Sequence, residues 1–566
     1  MKPEETAVAP STAGGRRLLG QILKAQGVVR EGQVQEAIAL QRKQGGLIGQ
    51  CMVELGHCTA GDVARALAEQ AGLEMVDLSK VEPEKAALAL VDGTTAHAFG
   101  VLPLRLDGKT LVVAIADPLN TAVIEDLRFT TGIDVRAALG DAGLLKKLVG
   151  THYGAEPTLA EAIAQAAKAA RGTDVEAAAA STPVVRLLNS ILHRAIRDRA
   201  SDVHFEVFDE QFRIRYRVDG SLYEIEAPPA HLALPLVARV KVMSDLDITE
   251  TRMPQDGRIE LSIDGRPVDL RVATLPGIAG EGCVLRVLDR SAVSLDLAAL
   301  GLRPEEEARL MQLCELPHGI VLVTGPTGSG KTTTLYAMLS HANQPEVKII
   351  TTEDPVEYDI EGIVQVPIRE EIGVTYAKVL RTVLRQDPDK ILIGEIRDGE
   401  TASVAVEASL TGHLVFSTLH TNDAPSTVTR LIDMGVEPFL IAATLEAVVA
   451  QRLVRKVCDD CRETYEPGEE ILLELGEDAQ RVRGARLAYG RGCERCHQTG
   501  YRGRSGLFEI LIVDDQVRRG VSERASSQEI RAAARAGGMK TLRESGIDAL
   551  LAGKTTVEEV LRETGI

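Results

Sequence analysis

Three observations predict a multidomain α/β protein. The chain has 566 residues, more than one hydrophobic core can organise. Residues 325–332 read Gly-Pro-Thr-Gly-Ser-Gly-Lys-Thr, set between the apolar run Gly319–Thr324 and a stretch, 333–339, suited to a helix. Phe212–Val218 alternates apolar residues with arginines, as a half-buried strand of a second sheet requires. Bulk properties bound the rest. A formal charge of −18 and the absence of Trp argue against nucleic acid as a partner, because a strand-tracking protein carries a basic, aromatic-lined groove. No apolar run is long enough to cross a bilayer, and residues 1–15 lack the apolar stretch of a secretory signal, so a cytoplasmic location is expected. Disulfides are not expected among the eight cysteines in a reducing compartment.

Taken from the N-terminus, residues 1–16 read as a disordered tail. A helical module over 17–79 follows from a tandem repeat with a shift of 29 residues, which pairs Gly20 with Gly49, Gly27 with Gly56, Val34 with Val63 and Ala37 with Ala66. Residues 80–153 form a small α/β unit around the buried strand at 110–116, closed by Asp117-Pro118. Residues 154–182 are rich in Ala with few large apolar residues, the composition of a flexible or loosely helical linker. An α+β unit spans 183–292, and the phosphate-binding domain spans 296–566, with a cysteine-bearing insert at about 455–500 and a helical tail.

The run at 325–332 is a P-loop. Its glycines let backbone N–H groups turn inward around phosphate oxygens, and the helix that follows adds a field favourable to negative charge. Gly325, Pro326, Thr327, Gly328, Ser329, Gly330, Lys331, Thr332 and Thr333 therefore form the candidate ATP site. Lys331 is placed to reach the β- and γ-phosphates and Thr332 to ligate Mg²⁺. Hydrolysis also needs carboxylates. The strand at 348–352 runs into Glu353 and the strand at 391–394 into Glu395, which puts both at strand ends beside the P-loop. A third strand, Leu414–Leu419, is bracketed by His413 and His420, each open to a structural or a phosphate-sensing reading.

These segments resemble the boxes of one family. Thr352-Glu353-Asp354-Pro355-Val356-Glu357-Tyr358 resembles its aspartate box, and Ile393-Gly394-Glu395-Ile396-Arg397-Asp398 its Walker B segment. Ser409-Leu410-Thr411-Gly412-His413 with Ser417-Thr418-Leu419-His420-Thr421-Asn422 resembles its histidine box. Together they identify the chain, from about residue 80 onward, as similar to the ATPases of type II secretion and type IV pilus assembly. The resemblance implies a RecA-like core preceded by a PAS-like α+β domain. It also implies that Glu353 polarises the attacking water, that Glu395 organises Mg²⁺ and that His413 and His420 respond to the γ-phosphate. Arg271 and Arg286 of the preceding domain, and Arg381 and Arg385 of the P-loop domain, match arginines that the family brings to the phosphates. The resemblance further implies a homo-hexameric ring that works with an inner-membrane platform protein and the cytoplasmic domain of a membrane-anchoring protein. It leans towards type II secretion over pilus assembly. A nucleotide-regulated scaffold and a DNA-processing ring are the alternatives; the intact Lys331, Glu353 and Glu395 set argues against the first, the acidic charge against the second.

Cys458-x-x-Cys461 and Cys493-x-x-Cys496 suit tetrahedral Zn²⁺, with a redox pair or unligated thiols as the other readings. Members of the resembled family carry the same four cysteines on such an insert. The N-terminal repeat resembles the tandem motifs of a cyclic-di-GMP-binding module. That module sets an arginine two positions before its first glycine, where this chain has Leu18 and Leu47, so a docking module is the expected role.

Overall fold

The computed structural model describes residues 19–44, 48–71, 73–91, 93–116, 123–124, 127–128, 131–153, 158–263, 266–289 and 295–565. Residues 1–18, Leu47 and Asp117-Pro118 lie outside them, and with them the expected tail, the two repeat positions and the strand-closing pair. The chain divides into two compact units, 1–292 and 293–566.

The first unit begins with four helices, Leu19–Ala25, Glu31–Gln44, Ile48–Glu54 and Ala60–Ala71. The repeat has a packing basis. A Cβ on Gly20 would lie 3.0 Å from Val34 Cγ1, and one on Gly49 would lie 2.6 Å from Val63 Cγ1, so each copy seats a glycine under the matching valine. Next comes a four-stranded sheet of β1 (Glu74–Met75), β2 (Leu102–Asp107), β3 (Thr110–Ile115) and β4 (Asp134–Leu139), in the order β1-β4-β3-β2. Its edge strand β1 and the buried Leu78 precede residue 80, where the sequence suggested the unit would start.

The Ala-rich segment is not a loose linker. Thr158 and Glu161 form a capping box for the helix Leu159–Ala170, whose Ala162, Ile163, Ala166 and Ala167 are buried in one core with Val184, Leu187 and Ile191 of the helix Thr182–Arg197. Alanine lets two helices approach closely, so a stripe that looks weakly apolar in composition is nonetheless a packing face. Against these helices lies a six-stranded antiparallel sheet of β5 (Asp202–Val207), β6 (Phe212–Val218), β7 (Ser221–Glu224), β8 (Gln255–Ile263), β9 (Arg266–Gly277) and β10 (Gly280–Asp289). Its order is β7-β6-β5-β10-β9-β8. The alternation of β6 holds: Phe212, Ile214 and Tyr216 are buried, while Arg213, Arg215 and Arg217 are partly exposed.

The second unit contains β11 (Gly319–Thr324), β12 (Ile349–Glu353), β13 (Val364–Pro367), β14 (Lys390–Ile393), β15 (Leu414–Leu419), β16 (Leu445–Val457), β17 (Arg462–Tyr465), β18 (Leu487–Gly490) and β19 (Tyr501–Ile512). Seven of them form the sheet β13-β12-β14-β15-β11-β16-β19, parallel except for the last pair. Because both faces are covered, the central strands are continuously apolar. Ile320 and Leu322 pack with the helices Tyr376–Val383, Gly399–Leu410 and Ala424–Asp433, whereas Val321 and Val323 pack with Pro304–Cys314 and Lys331–Ala342. The cysteine-bearing insert leaves the sheet after β16 and returns at β19, where Val457 and Tyr501 are paired.

Candidate functional site

In a parallel sheet all strand ends of one kind share an edge, and ligands bind outside the carboxyl edge. The register pairs Thr324 with Leu419, Ile393 with Ser417 and Thr352 with Ile393. Gly325, Glu353, Glu395 and His420 therefore all follow strand ends on one edge.

The loop after β11 needs its glycines. Gly325, Gly328 and Gly330 have φ of 147°, 80° and 88°, which L side chains rarely adopt. A Cβ on Gly325 would lie 2.5 Å from the Gln451 carbonyl oxygen, and one on Gly330 would lie 2.8 Å from Gln451 Nε2. The helix Lys331–Ala342 starts directly behind. Lys331 Nζ donates to the carbonyls of Gly325 (2.9 Å) and Pro326 (3.1 Å). Burial holds its ammonium below the usual lysine range, with Glu395 opposing and Arg452 adding to the shift. Ser329 Oγ is buried with no hydrogen-bond partner, and Thr332 is exposed at the helix start. An orphaned hydroxyl and glycine-lined backbone fit a phosphate chain with its Mg²⁺.

The two carboxylates are held differently. Glu353 is 4% exposed. Tyr336 OH and Thr351 Oγ1 donate to it, as does Gln365 Nε2 at 3.0 Å. Gln365 Nε2 also donates to the Tyr358 carbonyl (3.0 Å), fastening the loop after β12 to this group. Burial, then the Glu353 charge, pushes the Tyr336 phenol up, so it stays a donor. Glu395 accepts from Arg397 Nη2 and lies 3.1 Å from His420 Nε2. Burial opposes its ionisation, but Arg397 and His420 outweigh burial and hold the carboxyl below the usual glutamate range. A depressed carboxyl keeps its charge, and the stability and function that depend on it, down through the ordinary value of about 4.3, losing them only at still lower pH. Arg397→Gln should therefore shift the acid limb of the pH–turnover profile upward; a profile that does not move would contradict this role for Arg397.

Thr324 Oγ1 donates to the Leu419 carbonyl (3.0 Å) and lies 2.7 Å from Thr421 Oγ1, which is 2.6 Å from Thr427 Oγ1. The threonines join the P-loop entrance to the turn that carries His420.

Not every expected residue comes to this edge. His413 precedes β15, and its carbonyl accepts from Gly319 N (3.2 Å) at the start of β11. A six-residue strand at about 3.3 Å per residue sets it about 20 Å from the P-loop edge. Its ring is engaged locally, with Ala408 O at 2.8 Å. Arg381 and Arg385 are exposed on the helix Tyr376–Val383 and the turn after it. Arg381 pairs with Glu400 (2.8 Å), Arg385 donates to the Arg381 carbonyl (2.8 Å), and neither bonds the P-loop. Arg271 and Arg286 face each other across β9 and β10 of the first unit, with Arg286 3.1 Å from Asp202. Arg397, Tyr336, Thr351, Gln365 and Gln451 were not singled out in the sequence. Gln451, the one polar residue in the buried run Ala447–Gln451, was the available signal.

The four cysteines of the insert do converge. Their sulfurs lie within 4.8 Å of one another, with Cys458–Cys493 at 3.9 Å, Cys461–Cys496 at 3.8 Å and Cys493–Cys496 at 3.6 Å. Four sulfurs at about 2.3 Å from a tetrahedral Zn²⁺ would be about 3.8 Å apart, so the set fits this ion. N–H groups of Gly492, Cys493 and Gly500 donate to the sulfurs at 3.2–3.3 Å, as suits thiolates.

A model of the family described as "Type II/IV secretion system protein" matches residues 177–562, and one described as "MshEN domain" matches 71–159. "Type IV pilus assembly ATPase PilB" of Myxococcus xanthus is 39% identical over 562 residues, 96% of this chain and 98% of that one. "Type II secretion system protein E" of Dickeya dadantii is 52% identical over 384 residues, 68% of this chain and 76% of that one. Among solved structures, the ATPase DotB of Yersinia pseudotuberculosis is similar with a TM-score of 0.51 at 22% identity, covering 67% of this chain and 93% of that one, a likeness of fold.

Proposed function

The chain belongs to the Type II/IV secretion system protein family and is an ATPase, and from this premise we propose that it is a Mg²⁺-dependent motor of type II secretion, assembled as a ring of identical copies. The carrying observation is the carboxyl edge of the sheet, where Lys331, Glu353, Glu395 and His420 meet around a glycine-lined phosphate loop.

In this reading the loop N–H groups and Lys331 bind the phosphates of ATP. Thr332 and Glu395 would hold Mg²⁺, whose charge offsets that of the phosphates. Glu353, fixed by Tyr336, Thr351 and Gln365, orients the attacking water and accepts its proton. His420, tied to Glu395, sits where the γ-phosphate ends. Arg271 and Arg286 supply positive charge to the phosphates held by a neighbouring copy. His413, with its ring bonded to the Ala408 carbonyl far along β15, takes no part within its own copy. The cysteine cluster holds Zn²⁺ as a structural ion, since four thiolates leave no open position.

Among the described residues no helix is long and apolar enough to cross a membrane. Work at the inner membrane then goes through protein partners, a polytopic platform and the cytoplasmic part of an anchoring protein. Type II secretion is preferred over pilus extension on the lean of the sequence boxes; relatives of both kinds match the chain, one 52% identical over 384 residues and one 39% identical over 562.

Steady-state phosphate release with Mg²⁺ should be lost in Glu395→Ala; a wild-type rate no higher than the mutant's would leave a scaffold as the better reading. Deletion in the native host should stop release of secreted enzymes while surface pili persist. Loss of pili with secretion intact would assign the pilus role instead.

A further inference from the structure

His420 is followed by four residues, each fastened by a different part of the second unit. Thr421 N donates to Thr324 Oγ1 of β11 (2.9 Å). The Asn422 carbonyl accepts from Arg452 Nη2 of β16 (3.0 Å). Asp423 pairs with Arg531 of the helix Ser527–Ala536 (2.7 Å). Ala424 N donates to Glu509 of β19 (2.8 Å). The last two anchors come from beyond the cysteine-bearing insert, far along the chain from the P-loop. His420 depends on this turn for its place. Its side chain is 52% exposed and so has little packing to hold it, and its Nε2 lies 3.1 Å from Glu395.

The two helices that start here are capped without Glu509. Asp423 Oδ1 caps the helix Ala424–Asp433 through Ser426 N (2.8 Å), which leaves its other oxygen for Arg531. Thr541 and Glu544 form a capping box for the helix Leu542–Leu551. Glu509, 1% exposed, takes one further N–H from each helix, Ala424 N at 2.8 Å and Leu542 N at 3.2 Å. Burial pushes its carboxyl up, against the pull of these N–H groups and of Arg531. Burying a carboxylate costs free energy that an apolar side chain would not. What Glu509 adds is a fixed link between two helix starts, whose dipoles favour its charge. Ile530 and Ala534 share a core with Val428 and Leu431 of the helix Ala424–Asp433, so Arg531 is presented from a packed surface.

We propose that Glu509 and Arg531 are positioning residues for ATP hydrolysis, holding the turn 421–424 so that His420 faces Glu395 and the γ-phosphate. The C-terminal helices are thereby part of the catalytic apparatus. This rests on the reading of His420 given above. The test uses the full-length protein. A displacement of about 1 Å near reacting groups costs up to about a hundredfold, so Arg531→Gln should lower kcat by about tenfold. ATP affinity should hold within about twofold, because the P-loop is untouched. The melting temperature should move by less than about 2 °C, because a partly exposed ion pair contributes little. Arg531→Lys should recover part of the rate. In a His420→Ala background, read by single turnover so that slow rates are measured, Arg531→Gln should lower the rate no further, since both changes act through one side chain. Glu509→Gln should show the same non-additivity, with a lower melting temperature from its mismatched amide. A kcat for Arg531→Gln within about twofold of wild type, an equal loss in the His420→Ala background, or a loss that follows a lowered melting temperature without rescue by Lys overturns the proposal. If His420→Ala itself turns over at the wild-type rate, the reading of His420 falls and this one with it. If His420→Ala is slow and Arg531→Gln is not, the positioning role alone falls.

Discussion

Glu353→Gln should lower kcat for ATP hydrolysis by about 10²–10⁴-fold while ATP affinity stays within a few fold. The substitution keeps the shape and removes the one property that matters, a carboxylate able to take a proton. Glu353 is not among the groups placed to bind phosphate, so binding through Lys331 and the loop N–H groups should survive. The surroundings make the change more than a lost charge. Three donors converge on this carboxylate, from Tyr336, Thr351 and Gln365, and an amide NH₂ cannot accept from the donor it faces. A buried mismatch of this kind costs about 1–3 kcal/mol, so a modest fall in thermal stability should accompany the loss of rate. Phosphate release at saturating ATP and equilibrium nucleotide binding separate the two effects. A kcat within fivefold of wild type would remove Glu353 from the chemistry.

Cys461→Ser should abolish stoichiometric zinc, measured by metal analysis of the purified chain, and lower the melting temperature of the second unit by on the order of 10 °C. Loss of a structural metal belongs to the short list of changes worth more than about 4 kcal/mol. For a unit of this size each kcal/mol shifts the transition by roughly 2–4 °C. The effect is expected to spread, because the insert is not a separate bead. Leu475, Val482 and Leu487 of the insert share a core with Ile547, Leu550, Val557 and Val560 of the C-terminal helices. Arg543 of those helices reaches back to Asp478 at 2.9 Å. Full zinc content, or none with an unchanged melting temperature, would contradict a structural ion.

The ATPase core was legible because each of its parts is local. The apolar run of β11, the glycines behind it and the helix start occupy adjacent positions, and the acids at 353 and 395 announce themselves by following apolar strands. His413 shows where this fails. It lies in the same short segment as His420, but a strand carries the two to opposite edges, and only direction along the strand tells them apart. Arg397 is two residues from Glu395 and was passed over because alternation says which face a side chain takes, not what it meets there. Tyr336 and Gln365 come from different elements and meet at Glu353 only through folding. The segment at 154–182 was misjudged for another reason: composition weighs side-chain size, while the helix pair there is held by closeness of approach, at which alanine is best.

Val457 and Tyr501 sit opposite each other in the sheet, so everything between them is one long hairpin connection. Closing a flexible loop grows harder only with the logarithm of its length. Stretching a two-residue turn to residues 458–500 is a little over four doublings, about 2.5 kcal/mol of chain entropy. The cysteine pairs stand at the two ends of that excursion, at its neck, where a bound ion would offset this penalty and keep the two strands in register. What lies beyond the neck adds no strand to the seven-stranded sheet; its ties run to the C-terminal helices instead, through Leu475, Val482 and Leu487. Within 469–490 the room to change is accordingly at exposed positions such as Leu473, 79% exposed, and not at Leu475, Val482 and Leu487, which the C-terminal helices cover.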